Sequence, residues 1–139
     1  MRIAVIDGQG GGIGKAMVEK IRSELGAAVD IIALGTNALA TSAMLKNGAN
    51  EGATGENAII YNSDKVDVIT GAIGIIAANS MLGELTPSMA KAIAESPAHK
   101  VLIPMNRCNI QIAGAKGATL LQNIEDAVQL IREILMPGL

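Results

Sequence analysis

The segment that most constrains this chain is its start, where an apolar run leads into a cluster of glycines and then into a helical pattern. Ile3 to Ile6 has no polar interruption, which predicts a strand buried on both faces. Glycines at the start of a helix let the backbone approach an anion, which the unpaired N–H groups there attract. Five glycines follow the strand within seven residues: Gly8, Gly10, Gly11, Gly12 and Gly14. The segment therefore predicts a loop that binds a small phosphate-bearing ligand.

The composition indicates a single domain over residues 1–139 that associates with itself. Charged residues make up 17% of the chain, against about a quarter in a typical domain. A small domain with so little charge is expected to cover part of its surface with another copy, as a dimer or a larger homo-oligomer. The net charge of −2 and the lack of a basic cluster argue against nucleic acid as a partner.

The chain has a single cysteine and only short apolar runs. Cys108 stands alone, so neither a disulfide nor a cysteine metal site forms within one chain, and no metal site is predicted. The most apolar segment, 72–78, is too short to cross a bilayer, and the chain does not start with a signal sequence. We therefore expect a cytoplasmic protein without a membrane partner.

Strand and helix patterns alternate along the chain. Buried strands are predicted at 3–6, 29–34, 66–70 and 100–104, short strands within 48–55 and at 58–61, and an extended partner of the last strand at 108–113. Helices are predicted at 13–25, 38–46, 75–81, 86–96 and 120–136. The alternation predicts an α/β fold with a single Rossmann-like, doubly wound sheet, mostly parallel, and helices on both faces.

In such a sheet the ligand binds outside the carboxyl ends of the strands. Polar residues follow several predicted strands there, and Arg107 could fork onto a phosphate. The predicted cofactor-binding residues are Gly8, Gln9, Gly10, Gly11, Gly12, Ile13, Gly14, Lys15, Thr36, Asn37, Gly71, Asn106 and Arg107.

The segment DGQGGGIG at 7–14 resembles the cofactor loop of short-chain dehydrogenases, T-G-x-x-x-G-I-G, with Asp7 in place of the threonine. The stretch VDVITGAIG at 66–74 resembles that family's fourth strand and the turn after it. The resemblance implies that the loop holds the pyrophosphate of NAD or NADP. Thr36 and Asn37 stand where that family carries an Asp or a basic residue. We expect Asp7 to accept N–H bonds from its own turn.

The segment GGGIGKA at 10–16 also resembles the P-loop of partitioning ATPases, K-G-G-V-G-K-T. Lys15 matches a lysine that neutralises phosphate, whereas Gly10 and Ala16 replace the first lysine and the threonine. Without that hydroxyl a ligand of Mg²⁺ is lost. This alternative therefore predicts at most a degenerate ATPase.

Nearly end to end, the chain resembles a family of short bacterial proteins with a Rossmann-like fold. The shared motifs are the DGQGGGIG opening, ALGTNALAT at 33–41, GANEGATGENA at 48–58 and PxNRCN at 104–109. This resemblance implies a fold and no activity.

Other candidates for chemistry have no assigned role. Tyr61 and Lys65 have the Tyr-x-x-x-Lys spacing of a dehydrogenase pair, but they are predicted to lie in a turn, which argues against catalysis. Cys108 lies beside an arginine, and Glu51 and Glu56 lie in a polar loop where they could act as acid and base.

The first functional hypothesis is an oxidoreductase-like protein that binds NAD or NADP at residues 8–15. One alternative is a non-enzymatic sensor of another nucleotide or phosphorylated metabolite. The other is the degenerate ATPase.

Overall fold

The computed structural model describes residues 1–105, 109–115 and 117–138, which form a five-stranded sheet with helices on both faces. Its order is β3-β2-β1-β4-β5, and each neighbouring pair is parallel. The strands are β1 (Arg2–Asp7), β2 (Asp30–Gly35), β3 (Glu51–Thr54), β4 (Val68–Ala72) and β5 (His99–Ile103). The predicted Rossmann-like, doubly wound α/β sheet is confirmed.

The described ranges contain five α-helices, divided between the two faces of the sheet. They are α1 (Gly12–Leu25), α2 (Ala38–Lys46), α3 (Glu56–Asn62), α4 (Pro87–Glu95) and α5 (Leu120–Leu135). Residues of α1, α2 and α5 share one apolar core with the sheet, and residues of α3 and α4 share the other. In the part of the chain that is described, no helix combines the length and apolarity needed to cross a bilayer.

The central strand β1 supplies both cores because alternate side chains of a strand point to opposite faces. Ile3 and Val5 belong to the first core, and Ala4 and Ile6 to the second, all at most 1% exposed. Burying one such isoleucine side chain contributes about 1.5–3 kcal/mol. The uninterrupted apolar run is therefore what places β1 in the middle of the sheet.

The direction of chain travel across the sheet reverses between β1 and β4. From β1 the chain moves outward through α1 to β2 and through α2 to β3, and it then returns through α3 to β4 and continues to β5. Such a reversal opens a crevice at the carboxyl ends of the two strands that flank it.

Three predictions for secondary structure were wrong. Residues 75–81 continue a 3₁₀ turn (Ile73–Ile76) into irregular turns instead of a helix, because Ile75 is buried in the core and the Ser80 hydroxyl donates to the Gly74 carbonyl at 2.5 Å. Residues 58–61 lie in α3, since a short apolar run fits a helix as well as a strand. Residues 109–113 contain no strand, and Cys108 lies outside the described residues.

Candidate functional site

A cleft of about 590 Å³ opens at the reversal between β1 and β4. Its floor is the loop from β1 to α1, and its walls come from the end of β4, the turn after it and the segment that leads to α5. The lining residues are Asp7, Gly8, Gln9, Gly10, Gly11, Gly12, Ile13, Ala72, Ile73, Gly74, Ser80, Met81, Leu82, Met105 and Leu120. The volume lies within the range of about 300–1,000 Å³ that small-molecule sites occupy.

Three of the five loop glycines leave no room for a Cβ, one of them being Gly8, where it would lie 2.5 Å from the Thr36 hydroxyl oxygen. Gly11 has φ +76°, and a Cβ there would lie 2.8 Å from the Ala40 Cα. A Cβ on Gly14 would lie 2.8 Å from the Asp7 Cβ. At Gly10 and Gly12, by contrast, a Cβ would meet nothing within 4 Å. The space beside these two residues is therefore not used by the fold.

The Asp7 carboxylate binds part of the loop from within. It accepts N–H bonds from Gly8 at 2.8 Å and from Gly14 at 2.6 Å, which are the bonds expected from its own turn. Burial raises the pKa of Asp7, the two N–H bonds oppose that rise, and the nearby Glu84 adds to it. Asp7 thus closes the loop and uses one N–H group of the first turn of α1.

Three other N–H groups of the loop differ from those that bond Asp7. Within the described ranges, the backbone nitrogens of Gly10, Gly12 and Ile13 have no hydrogen-bond acceptor in the protein. All three residues line the cleft. Such donors at the positive end of a helix dipole provide a place for an anion.

The residues just after β2 form hydrogen bonds with Glu84, which was not among the predicted site residues. Glu84 Oε1 accepts hydrogen bonds from the Thr36 hydroxyl at 2.7 Å, the Asn37 amide at 2.8 Å and the Gln9 N–H at 2.9 Å. These bonds lower the pKa of Glu84, with the Thr36 bond the largest cause. Thr36 and Asn37 do not line the cleft, and their role in binding a ligand stays a prediction.

The turn after β4 forms the wall opposite the loop. Asn79, Met81 and Leu82 all have left-handed backbones, with φ of +66°, +57° and +56°. Left-handed non-glycine residues cost roughly 1 kcal/mol or more each and persist where the surroundings enforce them. Leu82 is 96% exposed and lines the cleft. The turn therefore presents an apolar side chain to solvent at the mouth of the cleft.

The other predicted site residues lie in different surroundings. Gly71 is buried in β4, where a Cβ would lie 2.5 Å from the Ile6 carbonyl oxygen, and it does not line the cleft. Lys15 is exposed on α1 and is not part of the lining either. Asn106 and Arg107 lie outside the described residues, and Met105 just before them does line the cleft.

The Tyr61–Lys65 pair lies away from the cleft. Tyr61 is in the last turn of α3 rather than in the predicted turn, and the Lys65 Nζ lies 4.0 Å from its ring centroid. Because α3 begins at the carboxyl edge of the sheet, its last turn approaches the opposite edge. Glu51 forms an ion pair with Arg2, and Glu56 is exposed in the first turn of α3.

Sequence reasoning missed most of the apolar wall and missed Glu84. A signal for Glu84 existed, since it is the single acidic residue between Asp67 and Glu95 and directly precedes the Leu85-Thr86-Pro87 helix start. Met81, Leu82 and Leu120 gave no comparable signal, because isolated apolar residues occur throughout this chain.

In the ranges that the structure describes, no group of three or more His, Cys, Asp or Glu side chains is placed to hold a metal ion. Among the described residues that line the cleft, Asp7 is the one with an ionisable side chain.

A parallel sheet with a glycine loop at its reversal point defines a Rossmann-like α/β domain. The chain belongs to the family described as Domain of unknown function (DUF3842), whose model matches residues 2–136. A search of curated proteins found no match.

Among solved structures, the chain is similar to a dodecameric FMN-dependent UbiX-like decarboxylase from Escherichia coli O157:H7. The TM-score is 0.50 at 13% identity, over 96% of this chain and 93% of that chain. A quinone oxidoreductase from Thermus thermophilus, solved alone and with NADPH, matches with a TM-score of 0.41 at 19% identity, over 99% of this chain and 45% of that chain. At 13% identity the likeness to the decarboxylase shows a shared fold alone.

Proposed function

We propose that this protein binds a nucleotide-type ligand in the cleft, with a phosphate held by the β1–α1 loop. The observation that carries the proposal is the set of N–H groups at Gly10, Gly12 and Ile13 that have no acceptor among the described residues and face a cleft at the reversal point of the sheet. A phosphate oxygen there would satisfy donors that the described residues leave without an acceptor.

The walls of the cleft suit the remainder of such a ligand. Ile73, Met81, Leu82 and Leu120 present apolar surface beyond the loop, which supports contact with a flat ring system. The two nearby carboxylates are already bonded, Asp7 by loop N–H groups and Glu84 by donors at the end of β2. Their charge is therefore partly satisfied before a phosphate arrives.

The identity of the ligand is a finer proposal. The decarboxylase that shares the fold is FMN-dependent, and the loop motif predicts NAD or NADP. All of these ligands carry a phosphate next to a ribose or ribityl chain. Since Asp7 is the lone ionisable side chain of the described lining, we propose that any chemistry comes from the bound ligand, and that a non-enzymatic sensor is the alternative.

The test is a thermal-shift series with FMN, AMP, ATP with Mg²⁺, NAD and NADP. A ligand at one hundred times its Kd should add about 2.7 kcal/mol to the free energy of unfolding. Gly12→Asp places a carboxylate among the free N–H groups and should abolish the shift, while Ser23→Asp, on the same helix but far from the loop, should not. If none of the five ligands shifts the wild-type protein, or if Gly12→Asp binds normally, the proposal fails.

We also propose that the protein self-associates, as its low charge predicts. Exposed apolar side chains, among them Leu121 at 62% and Leu130 at 50% on α5, support an interface between copies. Light scattering coupled to size exclusion should give a mass above the 14.2 kDa of one chain. A monomer at all concentrations would contradict the proposal.

A further inference from the structure

We propose that Glu84 closes the β2 side of the reversal point, so that the cleft takes a ligand with one nucleotide unit and excludes a dinucleotide. The inference rests on the proposed function, and it names the substrate class of the same site. The β2 side of the reversal point is where a doubly wound sheet binds the adenosine half of a dinucleotide.

Glu84 bonds the groups that would otherwise be available to a ribose. In dinucleotide-binding sheets the residue at the end of the second strand bonds the ribose hydroxyls of the adenosine half. Here the donors at that position, the Thr36 hydroxyl and the Asn37 amide, both bond Glu84 Oε1 at 2.8 Å or less. The Asn37 amide also donates to the Gln9 carbonyl at 3.0 Å. A ribose placed there would have to break these bonds.

The space at the β2 side of the loop is also limited. A Cβ on Gly8 would lie 2.5 Å from the Thr36 hydroxyl oxygen, 2.7 Å from Met81 Sδ and 3.1 Å from Glu84 Oε1. The gap between the ends of β1 and β2 is therefore filled by the protein's own side chains. In agreement, the cleft is lined from β1, β4 and the segments after them, with Met105 and Leu120, and by no residue of β2 or α2 among those described.

Glu84 is held in position by the residues that follow it in the chain. The next residue, Leu85, is fully buried in the core under α4, and its N–H bonds the Ser80 carbonyl at 3.2 Å. The Thr86 hydroxyl then caps α4 by accepting the Met89 N–H. These contacts on its C-terminal side hold the Glu84 carboxylate at the place where the adenosine ribose of a dinucleotide would bind. Its charge also repels a second phosphate.

The experiment is calorimetric titration of AMP, FMN and NAD into the wild-type protein and three variants. For the wild type we expect NAD to bind at least about tenfold more weakly than the better mononucleotide, a difference of about 1.4 kcal/mol. Glu84→Ala should remove most of that difference by improving NAD, with mononucleotide affinity changed less than about twofold. Glu84→Gln keeps the length of the side chain and an oxygen acceptor, so it should improve NAD less than Glu84→Ala does.

The matched control is Glu95→Ala, which removes an exposed acidic residue from α4 and changes the net charge equally. It should leave the ratio of NAD to mononucleotide affinity unchanged. If the wild-type protein binds NAD as tightly as a mononucleotide, the inference is overturned whether or not the variants fold. If Glu84→Ala folds and its ratio stays at the wild-type value, the inference is overturned too. If no nucleotide binds any form of the protein, the proposed function itself fails, and this inference fails with it.

Discussion

The two sides of the β1 carboxyl end differ in whether their polar groups have hydrogen-bond partners among the described residues. On the β2 side, the polar groups of Gln9, Thr36 and Asn37 are bonded by a carboxylate that the chain itself supplies. On the β4 side, the N–H groups of Gly10 and Gly12 have no acceptor among the described residues and face an open cleft. The polar groups on one side are bonded within the protein, whereas the N–H groups on the other side find no acceptor in the described ranges.

The glycines of the β1–α1 loop therefore differ in what they contribute. Gly11 and Gly14 are needed for close packing, while Gly10 and Gly12 leave space that packing does not use. Ordering a glycine costs roughly 0.5–1 kcal/mol relative to alanine. At Gly10 and Gly12 no close packing requires a glycine, which supports a ligand beside them.

The largest expected effect comes from breaking the packed part of the loop. Gly14→Ala places a Cβ 2.8 Å from the Asp7 Cβ and 2.7 Å from Met44 Sδ, so it should lower the free energy of unfolding by about 1–3 kcal/mol. Gly12→Ala, the matched control, has open space and should change stability by no more than about 0.5 kcal/mol. Urea denaturation measures both, and equal stability of the two variants would show that the two glycines are equivalent.

An intermediate effect is expected from the pH dependence of Glu84→Gln. Because hydrogen bonds lower the pKa of Glu84 in the folded protein below its ordinary value of 4.5, the ionised side chain adds stability that is fully present above that pH. This stability is lost as the pH falls through the folded-state pKa. The wild type should exceed the variant by about 1 kcal/mol near pH 7, after allowance for solvent screening.

The check on this prediction is a series of unfolding curves between about pH 3 and pH 7. The difference between wild type and Glu84→Gln should shrink below pH 4.5, and Glu95→Gln gives the background for an exposed carboxylate. A difference that stays constant over the whole series would mean that the Glu84 bonds do not form in solution.

The smallest effect is expected from Thr36→Val, which removes one of the three donors to Glu84 without changing the size of the side chain. One neutral donor is worth about 0.5–1.5 kcal/mol, and its loss should bring the pKa of Glu84 back toward its ordinary value. Thr54→Val removes a hydroxyl that bonds Thr41 instead, so it should not change the titration of Glu84. Identical titration curves for wild type and Thr36→Val would contradict the assignment of Thr36 as the main cause.

The fold could be predicted because its signals are local. The apolar run of β1 and the Thr86-Pro87 helix start each follow from a few neighbouring residues. The structure of residues 75–81 could not be predicted, since Ile75 and Ser80 make tertiary contacts that override an apolar pattern without a cap.

The candidate site was only partly accessible to sequence reasoning for a similar reason. Asp7 and the loop glycines are neighbours in the chain, so their bonds could be anticipated. Glu84 accepts a hydrogen bond from the N–H of Gln9, which lies 75 residues away in the sequence. Only the packing of the turn after β4 onto β1 brings the two residues together. The polar loop at 48–55 was a candidate for chemistry, but its Asn50 has a structural role. The Asn50 side chain accepts hydrogen bonds from Arg22 and from the Ile31 N–H.

The most direct test of the central claim is a ¹⁵N–¹H correlation spectrum recorded while AMP and then FMN are titrated into the labelled protein. The open cleft predicts that the amide signals of Gly10, Gly12 and Ile13 move most, because these N–H groups gain an acceptor. The amides of Gly8 and Gly14, which already bond Asp7, should move much less. If the three loop amides stay in place while others shift, or if neither ligand shifts any signal, the account of this cleft as a phosphate-binding site is contradicted.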